Sequence, residues 1–265
     1  MLAIVLLVIF QGKLIFPAPV DIPRTNPASA GLGFEDLQID VDGKTQIHAW
    51  WVPASIQTNR VLLYFHGNAQ VLEDEAQREV PLFHKTGANL LMVEYRGYGR
   101  SSAVSASGIT MAEDARAAMG YLEQSRGVAA GDVVICGWSI GSGVAAQLAL
   151  ETPNAGGLIL FSAVTSVPDV ANQEWIFRYP LRPAQWFGHA NDFATRNKIG
   201  SIHMPLLLMT GRQDSLAPPW MAEQLFARAN EPKRLEFVDG AEHNDLFDVA
   251  GAEVVSEMKR MLGPP

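Results

Sequence analysis

The chain has 265 residues, 48% of them hydrophobic and 18% charged, which is enough to bury a sizeable core in one ordinary domain. A formal net charge of -8 without any basic stripe argues against a phosphate-backbone partner, because nucleic-acid binding needs clustered Lys and Arg. Cys136 is the single cysteine, so no intramolecular disulfide forms, and its place within an apolar run reads as a small buried hydrophobe.

Taken in chain order, the first feature is LAIVLLVIF at 2–10, uninterrupted and apolar. Its length is about half of the roughly 20 residues that span a bilayer as a helix. No positive residue precedes it and no small-residue cleavage site follows, so it is a poor signal peptide. The expectation is a hydrophobic segment at 1–16 that associates with a membrane, with packing on the domain as the alternative. A Pro-rich connector at 17–33 follows, and a domain at 34–265. Within it, 34–41 and 45–52 alternate apolar and polar residues around Asp42-Gly43, a two-residue hairpin signal that predicts an antiparallel start. Short apolar runs at 61–65, 90–95, 133–136, 157–161, 205–210 and 234–238 are separated by helix-length segments, the pattern of parallel strands with right-handed crossovers. Helices are predicted at 70–86, 111–125, 140–150, 219–229 and 246–262. The predicted fold is α/β, a mostly parallel twisted sheet of about eight strands with helices on both faces. A short lid is expected at about 163–204, where Trp175, Phe177, Tyr179, Trp186 and Phe187 concentrate.

The chemistry is concentrated at three strand ends. GWSIG at 137–141 lies between an apolar strand and a small-residue helix, the setting in which a sharp turn lifts a serine hydroxyl clear of the sheet. Ser139 is therefore the candidate nucleophile, and glycines two residues to either side suit a turn with no room for side chains. A base and an acid are expected on later loops in the order Ser, Asp, His. Asp214 follows the strand at 205–210, and His243 follows the strand at 234–238. Ligands of open α/β sheets collect at these C-terminal edges, so the three loops converge. Two backbone amides would complete an oxyanion hole: that of Ile140 in the elbow, and that of Asn68, in preference to Ala69, in the loop HGNA.

FHGNA at 65–69, EYRGYGRS at 94–101, GWSIGSG at 137–143, TGRQDSLAP at 210–218 and GAEHND at 240–245 occur in the order found in the α/β-hydrolase superfamily. From about Lys13 onward the chain resembles its single-domain serine hydrolases, which include lipid hydrolases, protein depalmitoylases and serine-aminopeptidase-like members. Glu94, where Asp is commoner, and Phe161-Ser162-Ala163, where Pro often follows the serine, depart from that pattern without touching the triad. The resemblance also implies an N-terminal membrane helix ahead of a Lys-Leu-Ile-Phe-Pro stretch, here 13–17.

The expected function is hydrolysis of a carboxylic ester or thioester of a small or lipid-like acyl group through an acyl-enzyme, without cofactor or metal. His66 reads as structural, and His48, His84, His189 and His203 lack metal-ligand spacing. Asp245, just ahead of the last helix, reads as its N-cap rather than as the triad acid. The stretch 95–100 reads as a tight turn bordering the pocket. A peptidase of the same fold would need an acidic patch for a free amino terminus, with Glu94 and Glu174 as candidates. A catalytically silent binding protein is the alternative from another class.

Overall fold

In the computed structural model, which describes residues 15–173 and 193–263, the alternating segments at the start of the domain pair as an antiparallel hairpin of β1 (Glu35–Asp40) and β2 (Gln46–Val52). The loop is longer than the two residues predicted. The Val41 amide donates to the Thr45 carbonyl, Asp42 Oδ1 accepts the amides of Lys44 and Thr45, and Gly43 takes φ 78°. Asp42 thus builds a side-chain turn in place of a tight two-residue one.

Six further strands complete one sheet: β3 (Val61–Phe65), β4 (Asn89–Val93), β5 (Val133–Trp138), β6 (Gly157–Phe161), β7 (Leu206–Gly211) and β8 (Lys233–Val238). Their order is β1-β2-β4-β3-β5-β6-β7-β8; only the pairings of β2, with β1 and with β4, are antiparallel. Every residue of β3, β5, β6 and β7 is buried, as expected of parallel strands covered on both faces. Alternate residues of the inner strands feed two separate cores. Leu63, Phe65, Ile135 and Leu160 pack on one face, with Val144 and Leu148. Leu62, Tyr64, Cys136 and Ile159 pack on the other, with Phe83, Val254 and Met258.

Among the described residues the α-helices are α1 (Leu72–Glu75), α2 (Glu79–His84), α3 (Gly108–Ser125), α4 (Ile140–Glu151), α5 (Val167–Gln173), α6 (Thr195–Lys198), α7 (Pro219–Arg228) and α8 (Leu246–Leu262). The single helix predicted at 70–86 is two short ones. Pro81 lacks the N–H that a continuous helix would use at that point, and it is accommodated in the first turn of α2, where such a donor has no helical partner. The α3 helix begins three residues before the predicted start because Ser107 caps it, accepting the Thr110 amide at 3.1 Å.

Two residues of the predicted N-terminal segment are part of the folded body. Phe16 is buried and meets Phe193 edge-on, with ring centroids 5.8 Å apart, and Ile15 packs beside it. The apolar run at 2–10 and the five lid aromatics lie outside the described residues. No helix among the described residues is long and apolar enough to cross a membrane.

Candidate active site

Strand β5 runs directly into Ser139, whose backbone stands at φ 54°, ψ -119° before α4 begins. A side chain at that φ is strained, and the flanking residues must be glycine. A Cβ on Gly137 would lie 2.2 Å from the Gly141 carbonyl oxygen, and one on Gly141 would lie 2.2 Å from that of Phe65. The elbow is pinned from outside: the Ser139 amide donates to the Phe161 carbonyl at 3.0 Å, and Ser142 Oγ donates to the Ser139 carbonyl at 2.5 Å.

Asp214 and His243 reach this point from the ends of β7 and β8. The two loops touch backbone to backbone, since a Cβ on Gly211 would lie 2.2 Å from the Ala241 carbonyl oxygen. Asp214 Oδ1 accepts the amides of Leu216 and Ala217 at 3.0 and 2.7 Å, which fixes the carboxylate. Its Oδ2 lies 2.8 Å from His243 Nδ1, and His243 Nε2 lies 2.9 Å from Ser139 Oγ. An ionised carboxylate only accepts, so Nδ1 carries the hydrogen and, in the neutral ring, Nε2 is left to accept from the serine hydroxyl. Ser139, Asp214 and His243 are 8%, 3% and 7% exposed, so this hydrogen-bond chain is largely shielded from water.

The three residues expected together are therefore adjacent. Their surroundings were less visible in the sequence. Trp138, the variable residue before the serine, stacks on the His243 ring with centroids 5.6 Å apart and 29° between planes. A Cβ on Gly67 would press to 2.9 Å of that indole, so the glycine of HGNA makes room for it. The His243 loop is braced by Asp245 Oδ1, which accepts the Glu242 amide at 2.6 Å, and by Arg78 Nη1, which donates to the Asn244 carbonyl at 3.1 Å. Asp245 does occupy the N-cap position of α8, but its side chain makes no capping bond and turns back on the loop instead. Arg78 is held in turn by buried Glu79, its Nε donating to Oε1 at 2.7 Å.

The second loop, at 66–69, carries Ala69 at φ 56°. The Ala69 amide donates to Asn68 Oδ1 at 3.0 Å, while the amides of Asn68 and Ile140 donate to no other described residue. His66 is scaffold, as expected: its Nδ1 donates to the Gly67 carbonyl at 2.7 Å and its Nε2 lies 2.9 Å from Glu94 Oε1, both side chains fully buried. Glu94 Oε2 accepts the Leu72 amide at 3.2 Å, and a Cβ on Gly99 would come within 2.1 Å of that oxygen. Glu94 thus sits under the loops with no face toward the cleft, and Glu174 lies outside the described residues. His48 is buried against Asp36, and burial pushes its pKa down. His84 donates to the Pro53 carbonyl, His203 is exposed, and His189 lies outside the described residues. The turn at 95–100 borders the site through hydroxyls: Tyr95 donates to the His66 carbonyl and Tyr98 to Asn68 Oδ1. Among the described residues no three His, Cys, Asp or Glu side chains cluster as a metal site.

Residues 60–197 match the family described as alpha/beta hydrolase fold. The chain belongs to that family. An uncharacterized protein of Mycobacterium tuberculosis is 31% identical to this alpha/beta hydrolase over 255 residues, covering 95% of this chain and 87% of the relative. An alpha/beta hydrolase domain-containing protein of Arabidopsis thaliana is 28% identical over 276 residues, covering 95% and 86%. Among solved structures, a Pyrococcus furiosus esterase superposes with a TM-score of 0.78 at 18% identity, covering 93% of this chain and 97% of its own. A puromycin-hydrolyzing peptidase of Mycobacterium tuberculosis superposes with a TM-score of 0.71 at 18% identity over 88% of this chain and 39% of its own. At these identities the two structures establish the shared fold, while family membership supports a hydrolytic function.

Proposed function

We propose that this alpha/beta hydrolase is a serine esterase or thioesterase working through an acyl-enzyme. The observation that carries the reading is the continuous hydrogen-bond chain from Ser139 Oγ through His243 to Asp214, with heavy-atom distances of 2.9 and 2.8 Å. Ser139 Oγ attacks the acyl carbon while His243 Nε2 takes its proton; the resulting imidazolium is stabilised by Asp214 and by the face of Trp138. The Asn68 and Ile140 amides stabilise the tetrahedral oxyanion. Its collapse breaks the bond to the leaving oxygen or sulfur, which receives the proton from His243. A water deprotonated by His243 then attacks the acyl-enzyme, and the carboxylic acid leaves as Ser139 regains its proton.

A peptidase taking a free amino terminus needs a carboxylate facing the cleft; of its two candidates Glu94 is occupied beneath the cleft by His66 and Leu72, and Glu174 lies outside the described residues. Among the described residues the ester reading is therefore preferred. Labelling with a fluorophosphonate probe, run beside turnover of p-nitrophenyl acyl esters of graded length, acyl thioesters and aminoacyl amides, tests it. Covalent modification of Ser139 with ester or thioester turnover is expected. An unlabelled protein without turnover would favour a silent binding protein, and preference for aminoacyl amides would favour the peptidase.

A further inference from the structure

The chain enters the domain through a contact with the oxyanion loop, 53 residues away in sequence. Asn68 Nδ2 donates to the Ile15 carbonyl at 2.6 Å, while Asn68 Oδ1 accepts both the Tyr98 hydroxyl at 2.8 Å and the Ala69 amide at 3.0 Å. Both ends of the carboxamide are thus used, and the loop they hold contains Ala69 at φ 56°, a conformation that needs outside support. Ile15 is fixed by its neighbour: buried Phe16 rests on Phe193, and Phe193 lies so close to α4 that a Cβ on Gly143 would come within 2.6 Å of its own. The same two residues therefore touch one half of the oxyanion hole through the Ile15 carbonyl and brace the first turn of α4, which carries the Ile140 amide, through the ring of Phe16.

We infer that Ile15–Phe16 is a strap that positions the oxyanion loop, acting through the Asn68 side chain as a positioning residue. The inference rests on the Ser139 mechanism proposed above. It follows that residues 15–16 belong to the working enzyme, and that a deletion ending before them leaves the strap in place. Removing an oxyanion donor lowers kcat by about 10²–10³, and displacing one costs less, so a loss of about 10- to 100-fold is expected when the clasp is opened.

The full-length protein is compared with Asn68→Ala, Tyr98→Phe and deletions of residues 2–12 and 2–16, measuring kcat, KM and inhibition by an acyl trifluoromethyl ketone, whose adduct carries the oxyanion. Asn68→Ala and the 2–16 deletion are expected to lower kcat and weaken the ketone by the same factor with little change in KM. Tyr98→Phe should do so to a smaller degree, and the 2–12 deletion should leave all three quantities unchanged. A general packing defect would not single out kcat and the ketone. Full kcat in folded Asn68→Ala, or in a folded 2–16 deletion, would overturn the strap. If the 2–16 deletion does not fold, the two point variants decide. Wild-type protein that resists fluorophosphonate labelling would refute the mechanism itself, whereas labelled wild type with unaffected variants refutes only the strap.

Discussion

The backbone at Ser139 makes a quantitative prediction that sets stability against activity. At φ 54°, ψ -119° a side chain costs on the order of 1–3 kcal/mol that glycine avoids. Glycine gives back about 0.5–1 kcal/mol through the greater freedom of the unfolded chain. Ser139→Ala and Ser139→Gly both lose the hydroxyl and its 2.9 Å bond to His243, so that loss cancels between them. The glycine variant should therefore be the more stable of the two by about 0.5–2 kcal/mol, or roughly 2–4 °C in Tm for each kcal/mol in a chain of about this size. Both should be inactive and unlabelled by the fluorophosphonate. Denaturant titrations of the two variants and the wild type measure the difference directly. A glycine variant no more stable than the alanine variant would refute the claim that strain is stored at Ser139, whatever the activities.

The two acids near His243 should separate cleanly. Asp214→Asn is expected to lower kcat by about 10⁴ by disturbing the tautomer, whereas Asp245→Asn keeps an acceptor for the Glu242 amide and should stay within a few-fold of wild type; the reverse order of rates would reassign the acid. Glu75 is fully buried beneath the sheet, and burial, then repulsion from Glu79 and Glu94, pushes its pKa well above the usual carboxylate range. The folded state thus holds a proton that the unfolded state releases, and stability is lost as pH rises from the ordinary carboxylate range toward the raised value. Glu75→Gln, which resembles the protonated acid, should gain on wild type as pH increases; an equal difference in unfolding free energy at pH 5 and pH 8 would contradict this.

The places of Ser139, Asp214 and His243 were legible because each lies at or shortly after the C-terminal end of a strand, and because Gly137, Gly141 and Gly211 stand where backbones meet at distances that exclude a Cβ. The hairpin, the parallel strands and the last helix were legible for the same reason, since their periodicity is local. What could not be read depends on partners remote in sequence. Nothing near Glu75 or Glu79 announces that both are buried, and the split between α1 and α2 goes with their burial as much as with Pro81. Trp138 reads as any variable residue of the elbow until His243 is seen lying on its face. Asp245 has the composition and position of a cap, and only the fold reveals that its side chain serves the preceding loop. Ile15 and Phe16 looked like the tail of an apolar run, because a backbone carbonyl contact with Asn68 leaves no signature in residue type.

Ser139 and His243 are 104 positions apart, and His243 lies beyond β8, a strand at the margin of the sheet that among the described residues pairs only with β7. If His243 is the base, as proposed, no fragment that stops short of that strand can deprotonate Ser139, however native its first seven strands. During synthesis Ser139 and its strained turn leave the ribosome long before His243. On the proposed mechanism, turnover of a chromogenic ester becomes a clock for the docking of the final strand.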